Sequence, residues 1–420
     1  MIMGNELPKG WKIVPLKEIT SIIRGVSYPK EEAKLHSEED CVHILRGGNI
    51  QDGKIVLDTD DNVYVNSTFV DEEQFVLKDD VVIVASTGSK KVIGKAATIE
   101  EDSRKISFGA FLLLLRTNVI DKRFHSYFFQ TQYYRTTISS LAGGININNI
   151  KKEHIENLQI PLPPLEEQKQ ISEKLDKLFD QIESIKKSTE RIPELLKNFR
   201  QQILTYAVTG KLTDSDLNSW EKTFIGNIGK VKGGKRLPKG EELVEYNTGF
   251  PYIRARDLKE GTVLTKNLMY LLPETQEKIK NYIVNTDDVY ITIVGAKIGD
   301  AGIIPSTMNN ANLTENAAKI TDLSEKVIPQ YLALWLQAPV CQMEIQQSIK
   351  SAAQGKLALS RINKLSVYIP PLELQQEIVS KINSLFNELK TIEMRYNYLC
   401  GILDKLPQVI LNKAFKGKLL

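Results

Sequence analysis

The chain has 420 residues, enough for two or three domains with their own cores. Charged residues make up 25% and hydrophobic ones 42%, the composition of an ordinary soluble globular protein, and no apolar run approaches the length of a membrane span. A net charge of +3 at pH 7 is too small to announce a nucleic-acid partner by itself.

The opening segment, MIMGNELPKGW, carries no apolar signal-peptide core. The three cysteines, Cys41, Cys341 and Cys400, lie far apart, which points to a reducing compartment, the cytoplasm, and no disulfide framework. From Trp11 the pattern reads as strands followed by a helix. The apolar runs Val81 to Ala85 and Phe111 to Leu115 predict buried strands, and Phe124 to Leu141 predicts a helix. Polar loops fill the spaces between them, notably Tyr28 to Asp40 and Thr87 to Lys91.

Pro163-Pro164 then ends the strand pattern, and Leu165 to Leu212 begins a different one. Ile171, Leu175, Leu178, Ile182 and Ile185 alternate steps of four and three, which is a coiled-coil seam. The rhythm persists to Ile203, and Gly210 follows as a left-handed cap. About 45 residues make about 67 Å of helix at 1.5 Å per residue.

After Leu212 the whole sequence repeats. Trp220 answers Trp11, Gly233-Gly234 answers Arg24-Gly25, and Tyr252-Ile253-Arg254 answers Ile44-Leu45-Arg46. Asp287-Asp288-Val289 answers Asp79-Asp80-Val81. Val289 to Val294 and Gly302 to Ile304 predict strands, and Gln330 to Ile349 a helix with Pro329 in its first turn. Pro370-Pro371 opens a second rod, Leu372 to Leu419, with Ile378, Ile382, Leu385, Leu389 and Ile392 in its seam and Gly417 at its end. Pro193 and Pro407 fall inside the rods and should kink or interrupt them.

Gly88 to Ala96 imitates a phosphate loop, but five residues separate its glycines instead of four, and Ala96 stands where Mg²⁺ needs a hydroxyl. A strand-to-strand turn is the better reading. His36, Cys41 and His43 lack a second pair at zinc spacing. No Ser-His-Asp arrangement, methyltransferase tetrapeptide or glycine-rich cofactor turn can be found. The run Lys230, Lys232, Lys235, Arg236 and Lys239 alternates with glycines, so both a phosphate-approaching loop and a plain solvated loop stay open. Asn309, Asn310, Asn312 and Asn316, like Asn146, Asn148 and Asn149, could pair with adenine, although such residues more often cap turns.

The paired IPLPPLEEQ (Ile160 to Gln168) and YIPPLELQQ (Tyr368 to Gln376), and the endings AVTGKL and AFKGKL, resemble the specificity subunit of type I restriction-modification systems. Gly233 to Gly240, Pro251 to Arg254 and Ala311 to Asn316 look like one recurring type of its target recognition domain. The resemblance covers essentially the whole chain. It implies an α/β (α+β) fold with two similar target recognition domains, at 1–163 and 213–370. Two conserved regions, 164–212 and 371–420, would form long antiparallel coiled-coil helices in a pseudo-two-fold repeat.

It also implies that the chain is not itself an enzyme. Each domain would read one half of a bipartite, asymmetric double-stranded DNA target. The helices would dock two methyltransferase subunits, with restriction subunits added, and S-adenosylmethionine, ATP and Mg would be used by those partners. The candidate DNA contacts are Arg24, Lys90, Lys91, Lys232, Lys235, Arg236, Lys239, Lys297, Asn310 and Asn312. Arg46 and Arg254, which the two copies share, should serve scaffold or phosphate. The rivals are a coiled-coil adaptor that never touches DNA and a divergent adenine methyltransferase.

Overall fold

The computed structural model describes residues 7–51, 53–59, 62–143, 148–350 and 355–420. The chain forms two compact units. One holds the residues up to Thr189 together with Tyr398–Leu420, and the other holds Glu190–Asn397. Each contains one globular copy and part of each rod.

In the first unit Lys12–Pro15 pairs antiparallel with Gln159–Leu162, closing the domain's start onto its end. Between them a four-stranded sheet runs in the order Ser21–Arg24, Leu112–Arg116, Val81–Val84, Ala96–Thr98. Its strand Val81–Val84 is buried along its whole length, as an uninterrupted β-branched run requires. A second sheet places Ile106–Phe108 parallel to Cys41–Leu45, which pairs antiparallel with Tyr64–Asn66. Gly88 to Ala96 joins two antiparallel strands, so it is a strand-to-strand connection and not a phosphate loop.

The second unit repeats this scheme. Glu221–Phe224 pairs with Ser366–Ile369, and a four-stranded sheet runs Lys230–Gly233, Ala317–Thr321, Val289–Thr292, Ala301–Ile303. Asn312–Leu313 lies parallel to Pro251–Ile253, which pairs antiparallel with Met269–Tyr270.

Both expected domain helices are split in two. Lys122–Phe128 is capped by Asp121, whose carboxylate accepts from Phe124 N at 2.8 Å. Gln132–Leu141 is capped by Thr131, whose hydroxyl accepts from Tyr134 N at 3.2 Å. In the second copy Pro329–Gln337 ends before Pro339–Lys350, because Pro339 cannot continue a helix. The strand expected from Phe111 starts at Leu112, and Phe111 is a turn residue.

The glutamine that both rods carry two residues after Pro-Pro-Leu-Glu, Gln168 and Gln375, locks domain to rod. Buried Gln168 donates to Pro163 O at 2.8 Å and accepts from Asp121 N at 2.9 Å. Buried Gln375 donates to Pro370 O at 2.8 Å and accepts from Ile328 N at 2.8 Å. Each amide thus fixes the first turn of its rod against the helix of its own domain.

The first rod breaks at Glu190-Arg191 into Leu165–Thr189 and Ile192–Val208, with Pro193 in the first turn of the second piece. The second rod, Leu372–Ala414, is one helix that runs through Pro407. Leu403, Leu406, Ile410 and Leu411 pack into one core on both sides of that proline, and this burial outweighs its missing N–H. Gly210 and Gly417 have φ of +79° and +62°, the left-handed ends expected of them.

The rods run antiparallel. In the second unit Lys381 Nζ donates to Leu212 O at 3.3 Å, and Arg200 lies over Phe386 at 4.1 Å. In the first unit Lys186 pairs with Asp404 at 2.9 Å. Ile171 and Ile182 are buried with Leu403, Ile410 and Leu411, and Leu178 packs against that core. Ile378, Ile382 and Leu389 are buried with Ile203 and Leu204, and Leu385 packs there. Ile185 and Ile392 depart from the expected seam, being 42% and 47% exposed. A helix with 3.6 residues per turn drifts about 20° per heptad off a 3.5-residue stripe, and such drift carries these two positions out of the seam.

Candidate nucleic-acid interface

The most distinctive surface feature of each domain is a tight turn between its two sheets, crossed by a loop. In the second domain the turn runs from Thr314 to Ala317, closed by Ala317 N donating to Thr314 O at 3.2 Å. Gly234 crosses so near this turn that a Cβ there would sit 2.0 Å from Thr314 O, so only glycine fits. Lys235 N then donates to Leu313 O at 2.8 Å and fixes the loop.

Charged side chains converge at this crossing. Arg236 Nε donates to Glu315 Oε1 at 2.7 Å, while the Arg236 side chain remains 80% exposed. Lys235 Nζ lies 5.4 Å from the centre of the Tyr282 ring. Burial pushes the Glu315 carboxyl up, but Arg236, its own backbone N–H and the Thr314 hydroxyl outweigh that and hold it below the usual range. The hydrogen bond to Glu315, with its charge, raises the Arg236 guanidinium further.

The first domain builds the same crossing with other side chains. Leu112 N donates to Gly109 O at 2.8 Å, and Val26 N donates to Phe108 O at 2.8 Å. A Cβ on Gly25 would sit 2.2 Å from Gly109 O. At the apex stands Phe111, 68% exposed, beside exposed Ala110.

The structure brings Lys235 and Arg236 together with Lys239, which is exposed on the same loop. Lys232 sits back on the strand, 3.9 Å from Asp322, which Lys230 approaches to 3.1 Å. Lys90 and Lys91 are exposed in the loop between Val81–Val84 and Ala96–Thr98, and Lys297 is exposed in the matching loop of the second domain. Arg24 is exposed at the end of its strand, next to Gly25. Asn310 is exposed with φ of +67°, and its neighbour Asn309 accepts from Thr286 N at 2.9 Å.

Asn312 must be withdrawn as a DNA contact. It is 1% exposed, and its Nδ2 donates to Ile279 O at 2.8 Å within the domain, because the short strand Asn312–Leu313 is buried at both positions. Asn148 is also buried, its amide 3.4 Å from Thr87 O, and Asn149 is exposed. Asn146 lies outside the described residues.

The shared arginines differ in kind. Arg254 forks onto Asp257 at 2.8 and 2.9 Å and reaches Asn267 O at 2.7 Å. At the matching place in the first domain Asn49 replaces the aspartate, and Arg46 is exposed. His43 lies in a buried strand, stacked on Tyr64 at 4.8 Å, and burial lowers its basicity. Among the described residues no group of three His, Cys, Asp or Glu side chains could hold a metal ion.

Glu315, Tyr282 and Phe111 are the residues that sequence reasoning missed. The signal for Phe111 was present: it follows Gly109-Ala110, a turn sequence, directly before an apolar strand.

The family model described as type I restriction modification DNA specificity domain matches residues 8–194 and again 218–397. The EcoKI specificity subunit of a type I restriction enzyme from Escherichia coli K12 is 34% identical over 423 residues, covering 99% of this chain and 90% of its own length. The StySPI specificity subunit from Salmonella potsdam is 35% identical over 425 residues with the same coverages. The crystal structure of the HsdS subunit from Thermoanaerobacter tengcongensis shares the fold at a TM-score of 0.65, with 18% identity and 99% of each chain covered. A chain from a type I R-M system, solved for its complex assembly and conformational transition, gives a TM-score of 0.74 at 18% identity, covering 99% of this chain and 100% of its own.

Proposed function

This chain belongs to the type I restriction modification DNA specificity family, and from that premise we propose that it is the DNA sequence-recognition subunit of a type I restriction-modification complex. Each globular domain reads one half of a bipartite target. The observation that carries this reading is a pair of main sheets repeated in the same strand order in two domains whose crossing residues differ. Two such readers with unlike surfaces select an asymmetric sequence. The chain performs no chemistry itself. S-adenosylmethionine, ATP and Mg are used by partner subunits, and the complex works in the cytoplasm.

The recognition domains span 1–163 and 213–370, and the rods 164–212 and 371–420. The rods dock two methyltransferase subunits, and restriction subunits join that core. Leu195, Phe199 and Tyr206 on one rod, and Tyr398, Ile402 and Val409 on the other, support docking, because they are exposed at helical spacing and apolar. Lys90, Lys91, Lys232, Lys235, Arg236, Lys239, Lys297, Arg24 and Asn310 remain the proposed DNA contacts, lysines to phosphate foremost.

Mapping N6-methyladenine in host cells with and without this chain tests the reading. Methylation at one bipartite asymmetric motif should vanish when the chain is deleted. An unchanged methylation map, in cells where the partner subunits remain present, would refute it.

A further inference from the structure

The two crossings share their main backbone hydrogen bonds. Gly109 N donates to Leu45 O at 2.9 Å in the first domain, and Thr314 N donates to Ile253 O at 3.0 Å in the second. Phe111 O accepts from Ala85 N at 2.9 Å and Ser86 N at 3.1 Å. Asn316 O accepts from Ile293 N at 2.8 Å and Val294 N at 3.3 Å. The crossing loops also stay in register: Gly25, Pro29, Lys30 and Glu32 match Gly234, Pro238, Lys239 and Glu241.

A backbone held by matching bonds in both domains cannot by itself tell one half-site from the other. Shared Lys30 and Lys239 can grip phosphate but carry no sequence information. Within this common frame the side chains at the apex differ in chemistry. The first domain presents Ser27, Ala110 and Phe111, and the second presents Arg236, Glu315 and Asn316. One set offers a hydroxyl and an exposed apolar ring, suited to a thymine methyl or an unstacked base step. The other offers a guanidinium, a carboxylate and an amide, suited to the polar edges of bases in the major groove. Glu315 holds Arg236 through Nε, and this contact leaves the terminal fork of the guanidinium for a bidentate partner.

We propose that this turn, together with the residue facing it on the crossing loop, is the sequence-discriminating element of each domain. Ser27, Ala110 and Phe111 discriminate in the first domain, and Arg236, Glu315 and Asn316 in the second. The inference rests on the recognition function proposed above and assigns it to six side chains. Arg236 and Phe111 read, while Glu315 positions Arg236.

The test uses the complex purified with its own partner subunits, selecting duplexes from a randomised DNA library. Arg236→Ala and Phe111→Ala change exposed side chains and leave the fold intact. Arg236→Ala should loosen discrimination roughly 10-fold or more at a position in one half of the selected motif, and Phe111→Ala should do so in the other half. The triple exchange Arg236→Ser, Glu315→Ala, Asn316→Phe should change the base selected in the second domain's half alone. If both single variants select the parent motif unchanged, even with weaker binding, the inference is overturned while the recognition function stands. If either variant disturbs both halves, it is likewise overturned. A parent complex that selects no motif at all would overturn the recognition function itself.

Discussion

The unlike fates of Arg46 and Arg254 give a prediction with a magnitude. Arg254 bonds Asp257 through Nε and Nη2, and Asp257 is nearly buried, its side chain 5% exposed. Removing the guanidinium leaves a desolvated carboxylate, which costs roughly 3–5 kcal/mol when nothing replaces it. Here two groups remain. The backbone N–H of Arg254 still donates to Asp257 at 2.9 Å, and Arg256 Nε stands 3.9 Å away. The loss should therefore fall near the lower limit, about 3 kcal/mol, or roughly a hundredfold in the local opening equilibrium. Arg46 is exposed beside an uncharged Asn49, so Arg46→Ala should change stability by no more than about 0.5 kcal/mol.

A chain of two units does not unfold as one transition, so hydrogen exchange read segment by segment is the suitable assay. Amides of Tyr252, Ile253 and Asp257 should lose protection in Arg254→Ala, and those of the first domain should not. Equal effects of the two substitutions, or a changed target sequence in Arg254→Ala, would refute the assignment of this arginine to the scaffold.

Ile182→Ala, in the core of the first unit, should lower stability by roughly 2–5 kcal/mol and weaken subunit assembly, whereas Ile185→Ala at its exposed neighbour should leave the melting temperature nearly unchanged. His125 is fully buried, its Nε2 2.8 Å from Thr20 Oγ1, and burial pushes its pKa down to about 3. The unfolded imidazole takes a proton near pH 6.5 and the folded one does not, so stability present above pH 6.5 falls as pH drops toward 3, by about 2 kcal/mol at pH 5. In His125→Asn the slope of stability against pH between 7 and 5 should flatten, read by hydrogen exchange of the first unit's amides at each pH, corrected for the intrinsic exchange rate. Gly417 lies against Pro8, and Leu7 and Leu419 pack on one core, so a permutant joining Leu420 to Met1 through a short linker and opened between Leu212 and Asn218 should fold, with the circular dichroism spectrum of the parent.

Much of the architecture was legible because it is written twice. The seam residues from Ile171 to Ile182 follow a period that only a long helix satisfies, and the double prolines and Gly210 mark its limits. The strand Val81–Val84 declared itself by an unbroken β-branched run. Other features depend on partners distant in sequence. Asn312 reads as a polar loop residue until Ile279 O is found against its amide. Thr131 breaks a helix by accepting from Tyr134 N, a local bond that the apolar period does not register, although Pro339 gave fair warning in the second copy. The crossing was the least legible element. Arg236 was visible as part of a basic run, but Glu315 lies 79 residues away and is brought to it by antiparallel pairing of Lys230–Gly233 with Ala317–Thr321.

The central claim is that two domains on one scaffold read independently. Replacing residues 213–370 with the corresponding domain of the Escherichia coli EcoKI relative, then mapping N6-methyladenine across the host genome, tests it most directly. The account predicts a new methylated motif that keeps one half and the spacer of the original and changes only the other half. A motif altered in both halves, or one identical to the original, would contradict it.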